Sequence, residues 1–382
     1  MESGKQAKSQ AQPKRTGTLG ILVAATPDGP APFAESGFAR KLCLAASGHG
    51  LTAYAFTPRA ETDEDQITGY TFRDGSWVNR KFPLPDVVYD RFFSSGTQKW
   101  EKRRQLAALA EKHRFRLLGR GTAGKWIVYE ALKQNQEIAP YLPETFKYEN
   151  FRQLKELLNR WQGEIFLKPQ FGTHGKLALH LKERQFGERR VYLLSGRDIS
   201  NEVFQHRFHS GRDTARYIES LRRGKPFLAQ PKLRLSTRSG EPFDIRVLMQ
   251  KGKEGQWSMT GMAARVGKAG SLTSNLHGGG KACRADQLLS REFGPTAARS
   301  IIANLRQLSA VIPPYLEERF GRLAELGLDF GIDSEARIWL LEVNSKPGRS
   351  AFFGIGDSSG ARKAVENPVL YACYLLKQPE TS

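Results

Sequence analysis

The segment Leu326 to Gly348, LGLDFGIDSEARIWLLEVNSKPG, constrains the fold more tightly than any other stretch of the chain. Two apolar runs, Leu328 to Ile332 and Ile338 to Val343, flank a short polar stretch, the pattern of two strands joined by a turn. Side chains alternate across a strand, so Glu342 and Asn344 share one face while Leu341 and Val343 take the other. With Ser334, Glu335 and Ala336 in the turn, Asp329 lies almost opposite Glu342. These three oxygen-bearing side chains converge. Such a set suits a hard cation such as Mg2+ that bridges nucleotide phosphates, because phosphate and water complete its shell. Carboxylates amid apolar neighbours need partners, so Asp329, Glu342 and Asn344 are the expected metal ligands. Asp333 is expected only to decorate the solvated face of the turn.

A second segment, IFLKPQFGTHGK at 165–176, places Lys168 and Phe166 on one strand face ahead of a turn containing Gly172 and Gly175. A cation beside backbone amides freed by glycine suits phosphates. The spacing is not that of a P-loop, since no Lys-Ser/Thr pair follows the glycines. Taken alone, a snorkelling lysine and an ordinary hairpin turn explain it equally well. Phe227 to Gln230, followed by Pro231 and Lys232, offers backbone groups to an adenine edge, or is a plain edge strand. Arg246 in FDIRVLM and Arg265 in MAARVG lie in apolar strands. A guanidinium there cannot shed its charge and needs a planar anion, either a structural carboxylate or charge developing on a reacting phosphate. Ser274, Asn275, His277 and Gly278 to Gly280 make a polar loop suited to a charged substrate. His277 has no second histidine at ligand spacing and is expected to hydrogen-bond within the loop.

The rest of the chain supplies the setting. Strand-like Thr18 to Ala24, a helical pattern over Phe33 to Ala46 and strand-like Leu51 to Phe56 predict a small α/β domain. Gly69 to Val78, Asp86 to Tyr89, a helix over Gln105 to His113 and Phe115 to Leu118 extend it. Further on, helices are expected at Lys125 to Leu132, Phe151 to Trp161 and Tyr217 to Leu221, and near Val369 to Leu376. Ala297 to Phe320 is expected to be helical with a break at Pro313 and Pro314. Strands are expected at 165–169, 176–181, 191–194, 227–230, 243–250 and 257–266. At 382 residues the chain exceeds one cooperative core. Its net charge of +20 predicts an anionic partner without choosing one. The basic residues are dispersed and no aromatic-flanked nucleic-acid motif accompanies them, which argues against nucleic acid. Cys43, Cys283 and Cys373, odd in number and far apart, fit a reducing compartment. The polar opening lacks the apolar core of a signal peptide and no segment has the length to span a bilayer. A cytoplasmic protein is therefore expected.

In order, these pieces resemble the ATP-grasp superfamily, and most closely the endospore coat-associated YheC/YheD type, from about Thr18 to about Leu376. The blocks that carry the resemblance are PDVVYDRF at 85–92, GKWIVYEAL at 124–132, YLPET at 141–145, FLKPQFGTHGK, FDIRVLMQ, SNLHGGGKA at 274–282 and LLEVNSKPGR. It implies an α/β (α+β lobes) ATP-grasp fold with an N-terminal α/β domain over 16–120. A flexible basic tail would occupy 1–15, two ATP-grasp lobes 121–376 and a short tail 377–382. The cofactors implied are ATP and Mg2+. Lys125, Lys168 and Lys176 would contact ATP, and Gln230, Pro231 and Lys232 would line the adenine pocket. Arg246, Arg265 and Asn275 would be catalytic, and Asp329, Glu342 and Asn344 would hold magnesium. The family's phosphate loop commonly reads glycine, basic residue, glycine, whereas here Gly175 and Lys176 are followed by Leu177, a side chain at a permissive position. The activity implied is joining of an anionic carboxylate, on a small molecule or peptide, to an amine or related nucleophile through an acylphosphate. The alternative is a nucleotide-binding structural or assembly protein of the endospore coat with little turnover. Coat proteins are then the expected partners, and neither nucleic acid nor membrane insertion is implied.

Overall fold

The computed structural model describes residues 17–26, 31–93, 97–172, 175–272, 274 and 279–379. They divide into two units, one of Met1–Arg120, Gln250–Ser258 and Arg362–Ser382, the other of Gly121–Met249 and Met259–Ala361.

The first unit contains β1 (Gly17–Leu22), α1 (Ser36–Gly48), β2 (Leu51–Phe56), β3 (Gln66–Arg73), β4 (Ser76–Pro83), β5 (Val87–Asp90), α2 (Thr97–Lys112) and β6 (Arg116–Leu117). Its sheet runs β4-β3-β2-β1-β5-β6. β1 pairs parallel with β2 and β5, as a strand, helix, strand crossover requires. The run Gly69 to Val78 is the centre of an antiparallel hairpin. Asp74 and Gly75 turn it with φ of 49° and 83°, the pair of left-handed residues that a two-residue hairpin turn needs. Leu22, Tyr54, Phe56, Ile67, Phe82 and Val88 form the core, with the Tyr54 and Phe82 rings stacked at 4.4 Å.

The second unit begins with α3 (Lys125–Lys133), β7 (Phe146–Lys147), α4 (Phe151–Arg160), β8 (Glu164–Pro169), β9 (Leu179–Phe186), β10 (Arg189–Arg197), β11 (Val203–Phe208), α5 (Gly211–Arg222) and β12 (Phe227–Pro231). These make a six-stranded sheet ordered β11-β10-β9-β8-β12-β7. Leu154, Leu157 and Leu158 of α4 and Ile218 of α5 close one face over Ile165, Leu167, Leu179, Leu181 and Leu194. The expected strand at 176–181 starts three residues late, because Gly175 to Leu177 are a turn and Leu177 has φ 59°.

A second sheet follows, of β13 (Phe243–Lys251), β14 (Trp257–Val266), β15 (Lys281–Arg284), β16 (Glu325–Ile332) and β17 (Ile338–Asn344), ordered β15-β14-β13-β16-β17. Its helices are α6 (Ala285–Phe293), α7 (Pro295–Phe320) and α8 (Ser350–Phe353), and α9 (Ser358–Lys377) runs on from it into the first unit. The expected break at Pro313 and Pro314 is absent and α7 runs through both. Ile301, Leu305, Leu308, Ile312 and Leu316 are buried along one stripe, and that packing outweighs the lost helical hydrogen bonds.

Residues 362–376 and the β13–β14 tip belong to the first unit. There Arg116 donates through Nη2 to the Gln378 carbonyl at 2.9 Å and through Nη1 to that of Leu375. Lys251 lies over the Trp257 and Tyr371 rings at 5.3 and 5.4 Å.

Candidate active site

The second unit's larger charge cluster crosses four neighbouring strands. β13 is buried along its whole length, so Asp244 and Arg246, two apart and on one face, must both find partners in the sheet. Arg265 on β14 donates to Asp244 through Nε at 2.6 Å and Nη2 at 2.7 Å. Arg246 makes the corresponding fork on Asp329 of β16, Nη2 to Oδ2 at 2.9 Å and Nε to Oδ1. Arg265 Nη2 also reaches Asp329 Oδ2 at 3.1 Å. Ser274 Oγ donates to Asp244 Oδ2. Burial would raise the Asp329 carboxyl, but the Arg246 and Arg265 guanidiniums outweigh it and hold the group below the usual range. Burial likewise works against charge on Arg265, and Asp244 and Asp329 overcome it. The close approach of Arg246 depends on Gly327, where a Cβ would stand 2.8 Å from Pro347 Cβ and 3.1 Å from Arg246 Nη1.

On β17, Glu342 pairs directly with Asp329 and Asn344 with Gly327. A β-bulge between Asp329 and Phe330 produces that register, since Phe330 pairs with Leu340 and leaves Leu341 unmatched. The unmatched residue has a use: its carbonyl accepts from Lys168 Nζ at 3.2 Å. Asn344 Nδ2 lies 3.4 Å from Asp329 Oδ2. Lys168, at the end of β8, is half-buried, and enclosure of its ammonium lowers its pKa to about 8 against the opposing pull of Glu342. Lys125, at the start of α3, donates to the Gly172 carbonyl at 2.8 Å and stands 3.7 Å from Glu342 Oε1. Lys168, Lys125, Arg246, Arg265, Asp329, Glu342 and Asn344 are thus brought to one place.

Gln230 on β12 is buried and donates to Thr145 Oγ1 at 2.8 Å. Pro231 ends that strand, and Lys232 donates to the Leu233 carbonyl at 3.1 Å. Burial lowers the Lys232 pKa, opposed by Glu164. Lys176 is exposed on the turn, whereas Leu177 beside it is 3% exposed in the core, which holds a left-handed backbone that leucine otherwise avoids. Asn275, like His277, lies outside the described residues.

Asp333 is not a surface decoration. It is 6% exposed and accepts from the Glu335 and Arg337 amides at 2.9 and 3.0 Å and from Trp339 Nε1 at 2.9 Å. Sequence reasoning gave no role to Asp244, although its spacing from Arg246 was a usable signal. Nor did it find the buried pair of Glu325 and Arg349, each side chain 3% exposed. No signal in the sequence joins two residues so far apart.

Among the described residues no group of three or more His, Cys, Asp or Glu could hold a metal. The donor chemistry of the proposed set nevertheless fits magnesium. Asp329, Glu342 and Asn344 all offer hard oxygen, and a shared ion needs few protein ligands when phosphate supplies the rest.

Sheets of this order, with a cation-bearing strand of one set against a carboxylate hairpin of the other, define the ATP-grasp fold class. D-cycloserine synthetase DcsG has the same fold at TM-score 0.51 and 12% identity, covering 93% of this chain and 100% of that one. D-alanyl-alanine synthetase A from Vibrio cholerae matches at TM-score 0.51 and 12% identity, covering 93% and 99%. Residues 114–375 match the YheC/D-like ATP-grasp family, and the chain belongs to it. Endospore coat-associated protein YheC of Bacillus subtilis is 28% identical over 347 residues, 90% of this chain and 92% of its own length. No helix among the described residues is long and apolar enough to cross a membrane.

Proposed function

We propose that the chain is an ATP-dependent ligase that activates a carboxylate as an acylphosphate and passes it to an amine or related nucleophile. The observation that carries this reading is the row Arg265, Asp244, Arg246, Asp329, Glu342 across four adjacent strands, with Lys168 and Lys125 at its end. Lys168 and Lys125 would hold the phosphates, and Gln230, Pro231 and Lys232 the adenine. Asp329, Glu342 and Asn344 would hold Mg2+, which when bound neutralises phosphate charge. Each guanidinium has five donors, and the carboxylates engage only part of them. Arg246 and Arg265 therefore keep N–H groups to offset charge on the transferring phosphoryl group and on the intermediate that follows.

The substrate carboxylate attacks the γ-phosphorus and ADP leaves. The nucleophile then attacks the acyl carbon and phosphate leaves. No protein nucleophile is required, because position and charge suffice. The net charge of +20 supports an anionic carboxylate substrate such as an acidic amino acid or peptide. Incubation with Mg-ATP and a panel of acidic amino acids and peptides should release ADP and phosphate in a substrate-dependent way. AMP and pyrophosphate as products would overturn the acylphosphate route.

A second reading, a nucleotide-binding coat-assembly protein with little turnover, draws on Leu177 in the phosphate turn and on the coat association in the name of the Bacillus relative. ATP binding without phosphate release across the panel, together with stable association with coat proteins, would favour it.

A further inference from the structure

β11 is the outermost strand of the second unit's six-stranded sheet, paired among the described residues only with β10. Asp198 donates to the Glu202 carbonyl and Arg197 to that of Ala178, so the even-numbered residues of β10 turn their backbone groups toward β11 and the odd-numbered ones toward β9. In β11, by the same alternation, Phe204, His206 and Phe208 bond inward. Val203, Gln205 and Arg207 point their N–H and C=O groups outward, and no described residue is bonded to them there.

The side chains alternate in the same way. Phe204, His206 and Phe208 lie on the helix side against Tyr217 of α5, at ring separations of 5.7, 4.7 and 5.5 Å. Val203, Gln205 and Arg207 are exposed on the open face, Val203 at 69%.

Other edges are managed differently. β4 carries Arg80, Lys81 and Pro83, β15 has four residues with Lys281 and Arg284 at its ends, β6 and β7 have two residues each, and β17 holds the site described above. Lysine, proline and short length are the usual means of blunting an edge. β11 has six residues and a single charge, Arg207.

We propose that the free edge of β11 docks an extended peptide by strand addition, one whose side chains are alternately apolar and acidic. Its outward backbone groups would bond those of Val203, Gln205 and Arg207. Apolar side chains would extend the Phe204, His206, Phe208 row, and acidic ones would lie beside Arg207 on the open face. The charge of the lobe selects this occupant. Residues 146–231 hold seventeen Lys and Arg against nine Asp and Glu. Pairing with a second copy would bring two such lobes, and two Arg207 side chains, together.

The test uses the full chain and a fluorescent eight-residue peptide alternating valine and glutamate, with a valine-lysine counterpart, followed by anisotropy at physiological salt. The glutamate peptide should bind saturably and about tenfold more tightly than the lysine peptide. Gln205→Pro removes an outward N–H and no ladder bond. It should weaken binding at least about tenfold, leaving thermal midpoint and ATP binding unchanged. Should that variant misfold, backbone N-methylation of alternate peptide residues removes the same bonds from the other side, and one of the two methylation patterns should abolish binding. Unchanged binding by folded Gln205→Pro, indifference to both methylation patterns, or no saturable binding up to about millimolar peptide would overturn the proposal. A concentration-dependent dimer abolished by Gln205→Pro would assign the edge to a second copy instead, and would also overturn it.

Discussion

Asp329 and Glu342 face each other across one strand pair but keep different electrostatic company. Asp329 is forked by Arg246 and touched by Arg265, while the nearest cation to Glu342 is Lys125 at 3.7 Å. Glu342 is therefore the carboxylate with more capacity for a metal ion. Glu342→Gln keeps its size and removes a hard anionic ligand. The variant should fold normally and lose roughly 10- to 100-fold in affinity for Mg-ATP, with little change toward metal-free ATP. Calorimetric titration of both ligands checks this, and retention of the wild-type magnesium dependence would make Glu342 a structural residue. Lys168 supplies a pH signature. With its free-state pKa lowered to about 8, it is largely charged at pH 7 and largely neutral at pH 9. Phosphate binding favours the charged form, so ATP affinity should fall as pH rises through about 8 and binding there should take up a proton. Titration at pH 8.5 in two buffers of different ionisation heat measures that uptake, and equal apparent enthalpies would refute it.

At the scale of the element, the β16–β17 hairpin shows what a sequence does and does not reveal. Alternation put Glu342 and Asn344 on one face, and the apolar runs placed both strands. A turn at Ser334 to Ala336 leaves Asp329 opposite Leu341 in an ideal ladder, one position from Glu342. The bulge supplies the missing step, and with it the Leu341 carbonyl that Lys168 uses. Bulges answer to packing on both faces of a sheet, which a single strand's pattern does not contain. Asp333 was misplaced for a related reason: a carboxylate at a turn looks solvated until the turn folds back over it. Because Asp333 is buried with several donors, Asp333→Ala should cost on the order of 3 kcal/mol, far more than Glu342→Gln. Urea unfolding of the two variants side by side measures the difference, and equal midpoints would mean that the turn closes without Asp333.

At the scale of the molecule, sequence order and spatial order diverge at the end of the chain. The helical period near Val369 to Leu376 announces a helix but not its neighbours. Its last turns pack with β1 and β6. The Leu375 and Gln378 carbonyls accept from Arg116, and a Cβ on Gly17 would meet Leu376 Cδ1 at 2.7 Å. Gln250 Nε2 donates to the Ala364 carbonyl at 3.2 Å, tying the hairpin tip to the same helix. Val369, Tyr371 and Leu375 are buried, each contributing roughly 2 kcal/mol by transfer from water. That sum is a large part of the stability of a small α/β unit. A chain ending at Ala361 should therefore lose hydrogen-exchange protection across residues 17–120 while the sheet of β7 to β12 keeps its own. Exchange mass spectrometry of the truncated and full-length chains resolves the two regions. If protection were lost first in residues 146–231 and kept in β1, β2 and β5, the terminal helix would be a support of the nucleotide-binding lobes instead.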